Sequence, residues 1–140
     1  MMPTKFDTSL KNLAPAILRI GIALVFMWFG FQQLTDAALW LGYVPDAVVA
    51  ILHVGVTTLV HFNGAFEFLF GLALLAGFFT RTTALLLALH MADIVLIVGY
   101  TSIGVRDFGL AVATLAVFCY GADILGVDMI YLGHGKNTVE

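Results

Sequence analysis

Glu67, His90 and Asp93 are the residues of this 140-residue chain whose types and placing could carry chemistry. Glu67 stands between two phenylalanines in HFNGAFEFLFGLALLAGFF, and His90 and Asp93 follow one another at i, i+3 within ALLLALHMADIVLIV. Both surroundings are apolar enough to lie in lipid. An Asp, Lys or Arg at the centre of a bilayer-spanning helix costs about 2.5–3.5 kcal/mol on insertion scales. Groups of this kind therefore need a partner, water or a relieving protonation state. The chemistry open to the three is proton exchange: His90 donating to a carbonyl, Asp93 orienting it, and Glu67 passing protons to the outer aqueous phase. The plainer alternative is a hydrogen-bonded set that fixes helix register and does no chemistry.

Other chemistries lack their residues. Haem ligation wants facing histidines, but His90 alone lies deep in a helix while His53 and His61 fall at its boundary, so haem is disfavoured. A di-iron site wants Glu-x-x-His on several helices and finds none, and no metal site is expected. Cys119 is the single cysteine, without a disulfide or CxxC partner. No nucleotide-binding loop or nucleophile motif occurs, and the net charge of −3 is dispersed, with no nucleic-acid patch. A quinone headgroup suits the polar set better. Its carbonyls take hydrogen bonds and, on reduction, protons, at a depth reachable from the lipid.

The elements that must position these residues follow from composition. With 61% hydrophobic and 11% charged residues and a mean hydropathy of +1.04, the chain is an integral membrane protein. Apolar runs at 16–34, 62–79, 84–100 and 108–125 each approach the roughly 20 residues of a transmembrane helix. They predict an all-α, polytopic four-helix antiparallel bundle forming one domain over 1–140. Strands are excluded because barrel strands alternate with period two over only about 10 residues. Residues 35–61 are too apolar for a solvated loop. Pro45 and Asp46 predict a short helix toward His53, within an amphipathic outer segment anchored at the interface by Trp40 and Tyr43. Residues 128–140 read as a frayed tail. Lys5, Lys11, Arg19, Arg81 and Lys136 lie on one side, which predicts both termini in the cytoplasm of a cell-membrane (inner-membrane) protein.

On this topology Gln33 closes the outer end of helix 1, while Arg106 and Asp107 open helix 4 there. Glu67 falls about 8 Å, Asp93 about 10 Å and His90 about 15 Å below the outer surface, from 1.5 Å of rise per residue. Arg19 shares the inward stripe of helix 1 with Gln33. The expected site thus has Glu67, His90 and Asp93 as catalytic groups, with Arg19, Gln33, Arg106 and Asp107 holding the ligand.

The segments RIGIALVFMWFGFQQL, NGAFEFLFGLALLAGFFTR, ALLLALHM and RDFGLAVATLAVF together resemble the DoxX family of small four-helix membrane proteins, from Arg19 to Phe118. Arg19, Gly30, Glu67, Gly77 and Arg81 match the family's recurring positions. The resemblance implies a subunit or relative of a membrane oxidoreductase of the thiosulfate:quinone type, working with other subunits of a redox complex or with further copies of itself. One departure is Gln33, where members commonly carry lysine in Gly-x-x-Lys-Leu, which speaks against direct thiosulfate chemistry. A non-enzymatic assembly or stabilising subunit is the competing class. A small-solute transporter ranks third, as no second repeat or broken helix pair is visible.

Overall fold

The computed structural model describes residues 5–129, with side chains from residue 10 onward. All regular structure among these residues is helical: α1 (Lys5–Thr35), two 3₁₀ turns (Ala37–Leu39 and Leu41–Tyr43), α2 (Asp46–Leu52), α3 (Val56–Ala76), α4 (Thr80–Val98) and α5 (Ser102–Tyr120). Four of these helices are long and apolar enough to cross a membrane: Leu10–Thr35, Val56–Ala76, Thr80–Val98 and Ser102–Tyr120. Large apolar side chains such as Trp28, Leu69, Leu96 and Phe108 cover the outside of the bundle, where lipid rather than water is the solvent they suit. The expected four-span bundle is present.

Its helix ends differ from expectation, and local backbone chemistry explains why. Gly77, at φ +68°, closes α3: its N–H bonds Leu74 O and the Phe78 N–H bonds Ala73 O, a Schellman ending that stops the helix at Ala76, three residues short of the predicted 79. Thr101 caps α5 by accepting the Gly104 N–H at 3.0 Å, so that helix begins at Ser102 rather than 108. It ends correspondingly early, at Gly121 with φ +85°, which leaves Asp123 outside the helix that the apolar run had assigned to it. Pro45 and Asp46 do start α2, as read from the sequence, and His53 ends it in a left-handed conformation.

The helices form two closely packed pairs, α1 with α3 and α4 with α5, which touch one another far less. In the first pair the backbones meet at Gly30 and Gly64. A Cβ added to Gly30 would lie 2.6 Å from Gly64 O and 2.6 Å from Phe68 N, so neither helix can carry a side chain there. Between the pairs, Ile22, Phe26, Leu74, Leu87, Met91 and Val117 fill the middle of the bundle. Toward the Gln33 end the pairs stand apart, although α3 and α4 are joined by a tight turn at their other end. The gap is roofed by residues 36–55.

Candidate functional site

The close approach at Gly30 and Gly64 brings Gln33 and Glu67, each three residues further along its helix, into contact. Gln33 Nε2 donates to Glu67 Oε2 at 2.9 Å, and Asn63 Nδ2 donates to Gln33 Oε1 at 2.6 Å and to Glu67 Oε1 at 3.1 Å. Glu67 is only 2% exposed. Both of its oxygens accept hydrogen bonds from these amides. Across the gap, His90 Nε2 of α4 lies 3.4 Å from Glu67 Oε1, within ion-pair range but outside hydrogen-bond geometry. The imidazole packs beside the Phe66 ring, with centroids 4.7 Å apart.

These groups edge a cavity of about 710 Å³ between the helix pairs and beneath the 36–55 roof. That volume is within the roughly 300–1,000 Å³ range of small-molecule sites. Gln33, Asn63, Glu67, His90, Asp93, Arg106 and Asp107 supply its polar lining; the rest is apolar and aromatic. Arg106 donates from Nε to Asp107 Oδ1 at 2.7 Å and lies over the Phe29 ring at 4.8 Å. Asp107 is buried whereas Arg106 is half exposed. The structure therefore gathers six of the seven residues singled out in the sequence around one space.

The seventh, Arg19, is elsewhere. It is buried at the opposite end of the bundle, where Nε and Nη2 bind the two oxygens of Asp123 at 2.5 and 3.2 Å and Nη1 binds Leu74 O and Leu75 O at 2.7 and 2.5 Å. Arg19 shares an azimuth with Gln33, but 14 residues of helix separate them by about 21 Å. It is not among the residues that line the cavity, where the sequence placed it with the ligand-holding groups, and its bonds are to Asp123 and the end of α3. Asp93 lines the cavity and is exposed, yet no hydrogen bond joins it to His90 among the described residues; the carboxylate beside the imidazole is Glu67. Trp40 and Tyr43, expected as lipid-interface anchors, both line the cavity, and Tyr43 is also half exposed. Trp40 stands edge-on to Phe29 at 5.7 Å because the two 3₁₀ turns fold the chain back over α1. Its indole N–H is buried without a partner among the described residues.

The Arg19 end includes residues that sequence reading passed over. Asp128, assigned to the frayed tail, accepts the N–H groups of Phe79 and Thr80 at 2.8 and 2.7 Å and so caps α4. Burial opposes ionisation of Asp128, but the Thr80 and Phe79 N–H groups and the nearby Arg19 outweigh it and hold the carboxyl below its ordinary 3.8. The remainder of that tail, 130–140, lies outside the described residues. Asn63 was also overlooked, although its i, i+4 spacing places it over Glu67 on the same helix face.

A polytopic helical membrane protein with a largely apolar, polar-edged cavity between two helix pairs is the class that this geometry defines. The DoxX family model matches residues 14–100, and the chain belongs to the DoxX family. The matched stretch covers α1 to α4 and ends before α5, short of the Phe118 to which the motif resemblance extends. No curated protein and no solved structure matches the chain.

Proposed function

We propose that this chain is a membrane subunit of a redox system, binding a quinone headgroup in the cavity between the two helix pairs. The observation that carries the reading is the Glu67–His90 juxtaposition at the edge of an otherwise apolar space. The fit is chemical. Two ring nitrogens of the lining, Trp40 Nε1–H and His90 Nε2, lack a hydrogen-bond partner among the described residues, and a carbonyl-bearing ring supplies acceptors for the indole N–H and for a protonated imidazole nitrogen. A bound quinone supplies two-electron, two-proton redox chemistry, and the electrons come from a partner subunit because this chain has no cofactor motif of its own. His90 holds a proton at the ring, Glu67 orients the imidazole and exchanges protons with it, and the apolar walls receive the lipid tail. By the positive-inside distribution, the cavity lies in the outer half of a cell membrane, with the Arg19 end facing the cytoplasm.

Binding of decylubiquinone to the purified chain in nanodiscs, followed by quenching of Trp40 fluorescence, tests this. Trp28, the only other tryptophan, is exposed on the lipid-facing side, so Trp28→Phe leaves Trp40 as sole reporter. Saturable quenching that is weakened about tenfold by His90→Ala, the loss of one hydrogen bond to a buried acceptor, is expected. Non-saturating quenching no different from that of a free indole dissolved in the same lipid, with a bundle of unchanged stability, would instead favour a purely structural subunit.

A further inference from the structure

The cavity's charge points beyond a neutral headgroup. Three carboxylates, Glu67, Asp93 and Asp107, line it against one guanidinium, that of Arg106, and Arg106 is already committed to Asp107. Glu67 is served by the amides of Gln33 and Asn63 and by His90, none of which carries a fixed positive charge. Asp93 has no hydrogen bond among the described residues. At the Arg19 end, by contrast, the buried carboxylate of Asp123 has a full cationic partner. A half-open, largely apolar space with more carboxyl groups than cations on its lining favours positive charge over anions.

Aromatic rings make the preference more specific. Phe29, Trp40, Tyr43, Phe62 and Phe66 all line the space. Ring faces attract cations, and the effect grows when water is excluded. The protein's own Arg106, 4.8 Å over Phe29, shows a cation seated on one of these rings. No such contact occupies Trp40, Tyr43, Phe62 or Phe66 among the described residues. Carboxylates and aromatic faces around an apolar volume of about 710 Å³ are complementary to a lipophilic monocation, one positive centre in an apolar body.

We propose that the cavity binds lipophilic organic monocations, with Glu67 and Asp93 as the charge partners and Trp40 as an aromatic wall. Protons compete for the same carboxylates. His90 from α4, Arg106 and Asp107 from α5, Asn63 from α3 and Gln33 from α1 are the groups facing Glu67 or sharing its chamber, and protonating His90 adds a like charge beside the ligand. Binding therefore weakens as pH falls.

The test uses the full-length Trp28→Phe chain in nanodiscs of neutral lipid, titrated with tetraphenylphosphonium and with uncharged triphenylphosphine oxide. Trp40 quenching should give a dissociation constant at least about tenfold lower for the cation, equivalent to about 1.4 kcal/mol. Glu67→Gln should remove most of that preference, and acidification from pH 8 to pH 5.5 should weaken the cation alone. Asp93→Asn, at an exposed position where folding is not at stake, should weaken the cation several-fold. Equal affinity for the two probes, or a cation affinity that neither substitution alters, overturns the proposal. The quinone reading stands or falls separately: decylubiquinone quenching without cation preference supports it alone, and cation binding without decylubiquinone quenching leaves only the cation site.

Discussion

Two buried carboxylates stand at opposite ends of one bundle in opposite states of completion. Asp123 is closed: a guanidinium binds both its oxygens, the Leu125 N–H donates to Oδ1 at 3.0 Å, and the same guanidinium ties off the last carbonyls of α3. Glu67 is open. Amides and an imidazole surround it, a cavity adjoins it, and an indole N–H in the same lining is left without an acceptor. The contrast separates a charge retained to hold structure from one kept available. Burial does not distinguish them, since each is almost fully enclosed; what differs is whether the charge and hydrogen-bond requirements are met from within.

The comparison can be broken most forcefully at the closed end. Arg19→Ala leaves Asp123 uncompensated in a buried site and exposes the α3 carbonyls to apolar surroundings. A loss of about 3–5 kcal/mol is expected, measured by denaturant or thermal unfolding in micelles. The paired change Arg19→Met with Asp123→Leu should recover much of that loss. Glu67→Gln, at the open end, keeps the shape and most hydrogen bonds and should cost no more than about 1 kcal/mol in the same assay. Similar losses at both ends would erase the distinction drawn here.

Gly30→Ala tests how the open end is built. A methyl group 2.6 Å from Gly64 O forces α1 and α3 apart, at about 1–3 kcal/mol. It should also pull Gln33 from Glu67, so that ligand quenching of Trp40 falls alongside stability. An unchanged quench would mean that Gln33 does not set the position of Glu67.

The smallest effect concerns Asp128. Its folded carboxyl titrates below the ordinary 3.8, so its stabilising contribution is complete above that value and disappears as pH falls through the lower, folded-state value. Asp128→Asn retains an acceptor for the α4 cap and should cost under about 1 kcal/mol at neutral pH. The variant should lose less stability than the parent between pH 5 and pH 2.5. Parallel pH curves would show that the cap, not its charge, matters.

The open end was largely legible in the sequence because ionisable residues are conspicuous in apolar runs and helical rise gives their depth. Gln33, Glu67, His90, Asp93, Arg106 and Asp107 could be brought together on those grounds alone. The closed end was not. Arg19 has the correct azimuth for the cavity, and only its partner reveals that it serves a different depth. That partner, Asp123, was hidden by an apolar run continuing past Gly121, a glycine that reads equally as a packing residue and as a helix stop. The inward turn of Trp40 depends on where the 36–55 segment folds, a tertiary outcome with no local periodicity to announce it.

The Arg19–Asp123 pair spans 104 residues of chain, which gives it a place in time as well as in space. During synthesis at roughly 5–20 residues per second, α1 enters the membrane about 5–20 s before its counter-ion has been made. Over that interval the guanidinium must rely on water, lipid headgroups or the insertion machinery. The arrival of residues 123–128 then neutralises α1, ties off α3 and caps α4 in a single event. Residues 123–128 thus complete a helix made about a hundred residues earlier, and a chain stopped at Tyr120 should contain the four apolar helices yet be cleared faster than the 140-residue chain in a pulse-chase experiment.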